Sequence, residues 1–440
     1  MKRTIYLLLL LILLAACEKK ENTAYVLPEL EDVVIYQINP RVFAPENSFR
    51  AIVPHLDAIK DLGCNIVWFM PIYPIGEEKT KNSPYSVKDY CGVNSEFGTL
   101  DDFKQLVSEA HSKGLGVILD WVPNHTAWDN EWIKNKDWYT QDSLGNVIYP
   151  EGTDWEDVAD LNFENAEMRL AMIGAMKYWV TEIGVDGFRC DAVDHVPFDF
   201  LKQCNDSLRA IPGKRLLMLA EGSRKDHFDA GFDLNYGWDF AVEMRKVYQE
   251  NEPASTLITA NEAEYAELPK GKLKLRFTTN HDEAAKHAPV VEWGSRKGSM
   301  SAFAVITFLP GCPMIYGSQE VGYPDPINFF HYNEVSWHAN PELREEYRKL
   351  LDIYNSHNGL RNGKLRTYPN ENILLFERYT GDEKYLIAVN TRDKAQSMAL
   401  PENLSDKQYI NLYTERNITL GEVLELQPFE YVIFTPLNVQ

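Results

Sequence analysis

Short, nearly unbroken apolar runs alternate with amphipathic helical stretches along most of this chain, and that alternation restricts the fold more than any other feature. The runs are Val33–Ile38, Asn65–Met70, Gly116–Trp121, Asp186–Cys190, Arg215–Ala220, Phe232–Tyr236, Leu273–Thr278 and Cys312–Tyr316. Helical patterns fall at Ala51–Leu62, Leu100–Ser112, Glu167–Thr181, Phe198–Arg209, Asp239–Glu250, Ser299–Phe308 and Leu343–Tyr354. A strand that is apolar on both sides is covered on both sides, which is the condition of a parallel sheet. Eight such strands with intervening helices predict a (β/α)8 barrel over residues 29–360. A doubly wound open sheet is the alternative, but no G-x-G-x-x-G follows the first run.

Two segments break the rhythm. Residues 126–164 carry no clean period and are rich in turn residues, with Trp128, Trp132, Trp138 and Trp155 among them. An insertion of that length inside a compact domain is usually functional, and its tryptophans are candidates either for sugar stacking or for a small core of their own. From residue 361 to 440 the pattern becomes short alternating runs, Ile373–Tyr379, Tyr385–Asn390, Gln408–Tyr413 and Tyr431–Phe434. These predict a C-terminal antiparallel β-sandwich.

The first residues are an address rather than part of the fold. Lys2 and Arg3 precede the apolar Ile5–Leu14, and Leu14-Ala15-Ala16-Cys17 is a small-residue processing site. This is a secretory signal, too short to span a bilayer. It resembles a bacterial lipoprotein signal, which implies removal of residues 1–16 and lipidation of Cys17, with residues 17–28 as a polar tether. The expected location is the outer membrane of a Gram-negative bacterium, with contact to lipid only through the anchor. The chain has 44 basic and 65 acidic residues, a net charge of −21. That balance argues against nucleic acid and suits a neutral or cationic partner. Cys64, Cys91, Cys190, Cys204 and Cys312 are odd in number and scattered, so neither a disulfide framework nor a zinc site is expected.

In a barrel, catalytic groups project from the C-terminal ends of the strands. Here those ends read Asp120-Trp121-Val122-Pro123-Asn124-His125, Arg189-Cys190-Asp191, Ala220-Glu221 and Thr279-Asn280-His281-Asp282. Residues two apart on a strand share a face, which puts Arg189 beside Asp191 and sends Phe188 and Cys190 the other way. A guanidinium there favours the ionised aspartate that a nucleophile requires. Glu221 follows an apolar strand, where desolvation suits an acid/base. Asp282 would accept sugar hydroxyls, and His125 and His281 would hold others. Glycosidic cleavage needs such a carboxylate pair.

These segments resemble those of the α-amylase family of retaining glycoside hydrolases. "DWVPNH" at Asp120–His125, "GFRCDAVDH" at Gly187–His195, Glu221 and "NHD" at Asn280–Asp282 match its four main segments in order. "VADLN" at Val158–Asn162, "GCPMIYGSQE" at Gly311–Glu320 and "SPYSVKDYCGVNSEFGT" at Ser83–Thr99 resemble further ones. The resemblance implies Asp191 as nucleophile, Glu221 as acid/base and Asp282 as transition-state stabiliser. It implies substrate contacts from Tyr85, His125, Arg189 and His281, with Tyr85 stacking on the sugar next to the cleavage point. It also implies a calcium ion held by Asn124, Asp160 and the backbone carbonyl of His195, and no organic cofactor. The implied activity is hydrolysis of α-1,4 bonds in starch-derived glucans or maltooligosaccharides by a monomeric enzyme. Asp194 stands where polymer-cleaving members often carry a lysine, and Gly222 where many carry a larger residue, which points toward shorter substrates or glucosyl transfer. A glucanotransferase or α-glucosidase, and a glucan-binding lipoprotein without catalysis, are the other readings.

Overall fold

The computed structural model describes residues 25–381 and 383–437. The signal segment, Cys17 and the tether up to residue 24 lie outside the described residues.

Eight parallel strands close into a barrel: β1 (Ile35–Ile38), β2 (Ile66–Phe69), β3 (Gly116–Trp121), β4 (Gly187–Cys190), β5 (Leu217–Ala220), β6 (Leu234–Tyr236), β7 (Leu273–Phe277) and β8 (Cys312–Tyr316). Ile35 of β1 pairs with Met314 of β8 on one side and Ile66 of β2 on the other, so the sheet has no edge and the open-sheet alternative is excluded. The two-residue period explains why the runs are apolar throughout. Ile35, Trp68, Ile118, Leu219 and Leu275 fill the interior of the barrel. Tyr36, Val67, Phe69, Leu119 and Phe188 alternate with them and pack against the helices. Gln37 and Asp120 follow Ile35 and Ile118 by two, and Arg189 is in register with Asp120, so three buried polar side chains take interior positions at the top of the barrel.

The helical shell departs from the expected one in two places, the first connection and the one after β6. The stretch Ala51–Leu62 is not one helix: α1 (Ser48–Ile52) and α2 (Leu56–Asp61) are separated by a 3-10 turn at Val53–His55. Pro54, which has no N–H to donate, sits in that turn. After α3 (Leu100–Ser112), α4 (Ala166–Tyr178) and α5 (Phe198–Arg209), the β5–β6 connection has only a 3-10 turn, Lys225–His227. After β6 there are two helices, α6 (Trp238–Gln249) and α7 (Thr256–Tyr265), before α8 (Arg296–Phe308) and α9 (Pro341–Ser356). α7 carries no single apolar face, having only Leu257, Ile258 and Asn261 buried. Its anchor is instead polar, since the buried Arg276 donates to Asn261 at 3.0 Å and pairs with Glu264.

The insertion after β3 is hinged on two short antiparallel strands, His125–Ala127 and Val158–Asp160, with His125 opposite Asp160. Its tryptophans divide. Trp132 and Trp138 meet edge to face and pack against the main core, whereas Trp128 lies under the Lys79 ammonium, 3.3 Å from the ring centre. The C-terminal part is a six-stranded antiparallel sheet, in the order Lys364–Tyr368, Ile373–Thr380, Glu383–Asn390, Tyr431–Pro436, Lys407–Asn411, Arg416–Leu420, with a two-stranded sheet of Gln396–Ala399 and Val423–Leu426 over one face. Ile373 and Leu375 face the small sheet's Met398 and Leu424, while Leu374 and Phe376 join the core shared with the barrel. Alternation thus buries both faces.

The tether is shorter than expected. From Tyr25 onward the chain belongs to the fold and runs across the barrel floor. Leu27 and Val33 plug the interior core, Tyr25 stacks on His111 at 4.6 Å, and Arg215 holds Glu29 at 2.6 Å and the Leu27 and Pro28 carbonyls. Cys64, Cys190, Cys204 and Cys312 are buried thiols and Cys91 is exposed. Among the described residues no helix is long and apolar enough to cross a membrane.

Candidate active site

The site is built on one buried cation. Arg189 of β4 lies inside the barrel with no solvent exposure. Its Nη1 donates to Asp120 Oδ1 at 2.6 Å and to Asp191 Oδ1 at 2.8 Å. Its Nη2 lies 2.7 Å from Glu221 Oε1, and the other Glu221 oxygen accepts the Ala192 N–H at 2.8 Å. The sequence reading gave this guanidinium to Asp191 alone; it is shared by three carboxyl groups from three adjacent strands. One positive charge cannot neutralise three negative ones in a dry interior. Burial accordingly pushes Asp120 up to about 7, against the pull of Arg189. Burial and then the Glu221 charge raise Asp191 well above the usual carboxylate range, with Arg189 opposing. The Glu221 charge is thus one of the two causes that hold the Asp191 carboxyl up.

A second layer holds the neutral groups. Gln37 Nε2 is 2.8 Å from His281 Nδ1, and His281 Nε2 is 2.6 Å from the Tyr85 hydroxyl, which reaches Asp120 Oδ2 at 3.1 Å. The Trp68 indole N–H donates to the same Asp120 oxygen at 3.2 Å. Burial first, then the Arg189 charge, pulls His281 down to about 3, and burial pulls His125 down to about 4. Both rings are therefore uncharged at neutral pH; both His281 nitrogens already have partners in Gln37 and Tyr85, so a sugar hydroxyl would have to share or displace one of them. Asp282 opens the short helix His281–Ala284, capped by the Asn280 side chain. Its side chain is 39% exposed toward the site, and burial raises its carboxyl.

Tyr85, His125, Asp191, Glu221, His281 and Asp282 line one cavity of about 350 Å³, which is closed further by Trp155, Phe329 and Phe330. Arg189 is not on the wall. It stands behind the carboxylates and orients them, so the expected substrate contact is replaced by a positioning one. Sequence reasoning missed the rim. Lys81 pairs with Asp157 of the insertion at 3.4 Å, and Asn82 Nδ2 donates to the Phe330 carbonyl at 2.6 Å. The buried Arg41 ties that rim down, binding the Asn82 and Phe329 carbonyls at 3.0 Å each and Glu96 at 2.7 Å. The loop after β2 is thereby fastened to the insertion on one side and to the loop after β8 on the other.

Asn124, Asp160 and His195 stand close together at the root of the insertion. Asp160 pairs across the ladder with His125, and Trp155 meets both His125 and His195 edge-on at 5.5 Å. Burial raises the Asp160 carboxyl, which has no lysine or arginine partner among the described residues. One carboxylate, one amide and one carbonyl suit the oxygen preference of calcium but fall well below its usual six to eight ligands. Among the described residues no three His, Cys, Asp or Glu side chains cluster as a metal site.

Residues 37–364 match the family model of the alpha amylase catalytic domain, and residues 365–433 that of the maltogenic amylase C-terminal domain. The chain belongs to the alpha-amylase family. Among relatives in that family, probable oligo-1,6-glucosidase 2 of Bacillus subtilis is 32% identical over 73% of each chain. Alpha-amylase 3 of Dictyoglomus thermophilum is 25% identical over 90% of this chain and 92% of its own. Alpha-amylase MalA of Haloarcula japonica is 25% identical over 84% of this chain, which spans only 57% of that protein. The structure of a maltogenic alpha-amylase, AmyB of Thermotoga neapolitana, superposes with a TM-score of 0.84 at 26% identity, covering 93% of this chain and all of that one. Against this family background the two unusual positions prove to be one feature. A Cβ at Gly222 would meet Asp194 Oδ1 at 2.5 Å and His227 Cε1 at 2.7 Å. Asp194 in turn accepts the Ser223 N–H at 3.0 Å and lies 3.1 Å from His227 Nε2. The aspartate and the glycine are matched to each other beside Glu221.

Proposed function

We propose that this member of the alpha-amylase family hydrolyses α-1,4-glucosidic bonds in short starch-derived maltooligosaccharides, with retention of configuration. The observation that carries the reading is the pair of carboxyl groups, Asp191 and Glu221, leaning on one guanidinium at a cavity wall. In the first step Glu221, as general acid, gives a proton to the glycosidic oxygen as the C1–O bond breaks. Asp191 attacks C1 from the other side and forms a glycosyl ester. In the second step Glu221 takes a proton from water, the water oxygen bonds to C1, and Asp191 leaves as carboxylate. Asp282 accepts hydroxyls of the ring and favours its developing positive charge. Neutral His125, His281 and Tyr85 hold the same ring.

The preference for short chains rests on the rim. Lys81, Phe329 and Phe330 line the cavity together with Asp191 and Glu221, and Asn82 ties down the Phe330 carbonyl, so a longer chain would have to pass this fastened rim. A cavity of about 350 Å³ is at the small end of ligand pockets. Incubation with starch, maltotriose, isomaltose, pullulan and sucrose tests this. Maltotriose is expected to be cleaved at least about tenfold more efficiently than starch per chain end, a difference of about 1.4 kcal/mol in transition-state binding. Equal efficiency on both contradicts the short-chain reading, and cleavage of none favours a glucan-binding protein. Preferential cleavage of isomaltose would assign the α-1,6 bond, the specificity in the name of the Bacillus subtilis relative.

A calcium ion at Asn124, Asp160 and the His195 carbonyl is a subordinate part of this proposal. With one carboxylate it would be an accessory ion that steadies the root of the insertion. Chelation by EDTA is then expected to lower Tm by less than about 3 °C, under 1 kcal/mol for a chain of this size; unfolding on chelation would contradict the accessory role. The lipid anchor at Cys17 remains a proposal from the leader sequence. The chain enters at the barrel floor, so such an anchor would turn the cavity mouth away from the membrane.

A further inference from the structure

A cavity of about 600 Å³ lies outside the barrel and shares no lining residue with the catalytic one. It exists because the β5–β6 connection has no α-helix, which leaves a gap in the shell between that connection and the pair α6 and α7. Its floor is the outer face of β7. Leu275 and Phe277 point into the barrel there, so Lys274 points out. Lys274 is only 7% exposed, yet among the described residues its ammonium has no hydrogen bond or ion pair. Burial holds its pKa below the ordinary lysine value.

The acids around it are mostly committed. Glu264 belongs to Arg276, Glu267 to Lys225, and Glu243 to Lys246 at 2.7 Å. Asp239, in the first turn of α6, is the exception, with no side-chain partner among the described residues. The cavity therefore presents one uncommitted amine and one uncommitted carboxylate, which attract each other without touching. Thr256 and Thr259 add hydroxyls that already donate to backbone carbonyls and so are free to accept. Phe228 supplies an apolar flank. An anion would meet four carboxylates against two amines, and no cluster fit for a metal is present among the described residues.

We propose that this cavity is a second ligand site, separate from catalysis, for a neutral hydroxyl-rich molecule of one to three sugar rings. A vicinal diol would accept from the Lys274 ammonium and donate to the Asp239 carboxylate, giving each the partner it lacks. The aromatic flank would take the apolar face of the ring. The inference does not depend on which bond the catalytic site cleaves, or on whether it cleaves one.

The test is the rate of Lys274 acetylation, read by peptide mass spectrometry in a Glu221→Gln background so that the sugar persists. Maltotriose at saturation is expected to slow acetylation of Lys274 about tenfold, the occupancy effect of a ligand covering the amine. Glycine and inorganic phosphate are expected to protect far less. Equal rates with and without maltotriose, or protection by glycine or phosphate instead, overturn the proposal. In the same background Lys274→Met is expected to remove one of two maltotriose sites by calorimetry, and in the active protein to leave kcat on maltotriose within about twofold. An unchanged stoichiometry overturns it as well. If the variant misfolds, the acetylation rates decide, since they use the native lysine.

Discussion

Asp191→Asn and Glu221→Gln are each expected to lower kcat by at least about 10⁴-fold, because the two groups act as a unit. The variants should differ in what rescues them. Protonating the leaving oxygen is the first task of Glu221, so a sugar bearing a leaving group that needs no proton, such as fluoride, should restore the first step in Glu221→Gln. It should not restore it in Asp191→Asn, which lacks the attacking oxygen. A small external nucleophile such as azide should restore turnover in Asp191→Gly and yield the inverted glycosyl azide. Rates are read by release of fluoride and of reducing sugar. Full activity in either variant, or fluoride rescue of Asp191→Asn, contradicts the assignment.

Arg189→Met has the second large expected effect, and it is on stability as well as rate. Among the described residues, the side chain it removes is the only cation touching Asp120, Asp191 and Glu221. Breaking a buried ion pair by deleting one partner costs about 3–5 kcal/mol. The pH dependence follows from the sign of the shifts. Asp120 and Asp191 already have raised carboxyl values in the folded protein, and losing the cation raises them further. A raised folded value means that the native state holds protons the unfolded chain has released. Stability of the variant therefore falls as pH rises, from the unfolded value of about 4 up through the raised folded values. Relative to the parent protein, the Tm deficit of Arg189→Met should be small near pH 4 and large at pH 8. A deficit independent of pH would show that the guanidinium does not carry the charge balance of the site.

The barrel was legible because its signal is redundant. Each strand is apolar on both faces for two different reasons, interior packing and helix packing, and eight repetitions make the pattern hard to misread. That Asp191, Glu221 and Asp282 meet at one cavity was legible because strand ends are fixed by the same runs. The period of two also puts Gln37 and Asp120 inside the barrel, but it does not say that Tyr85 and His281 complete a network with them, since those arrive from loops. The sharing of Arg189 was hidden for a related reason: strand spacing names its neighbour Asp191, whereas Asp120 and Glu221 come from adjacent strands. The rim of Lys81, Asn82, Phe329 and Phe330 left no trace in periodicity, because irregular loops are placed by side-chain bonds such as those of Arg41. α7 was missed because an arginine holds it, and the break at Pro54 could have been read from the residue itself. The end of the tether is not legible, because Tyr25, Leu27 and Pro28 resemble linker until the barrel floor that they cover is in view.

The most direct test of the account is to trap the ester. Glu221→Gln, incubated with an α-maltosyl fluoride and quenched in acid, should accumulate a maltosyl adduct, because the first step proceeds and the second lacks its base. Peptide mass spectrometry is expected to find the adduct on the peptide containing Asp191, on that side chain. An adduct on Asp120 or Asp282, or no adduct with release of the inverted sugar, would contradict the central claim that Asp191 is the nucleophile facing Glu221.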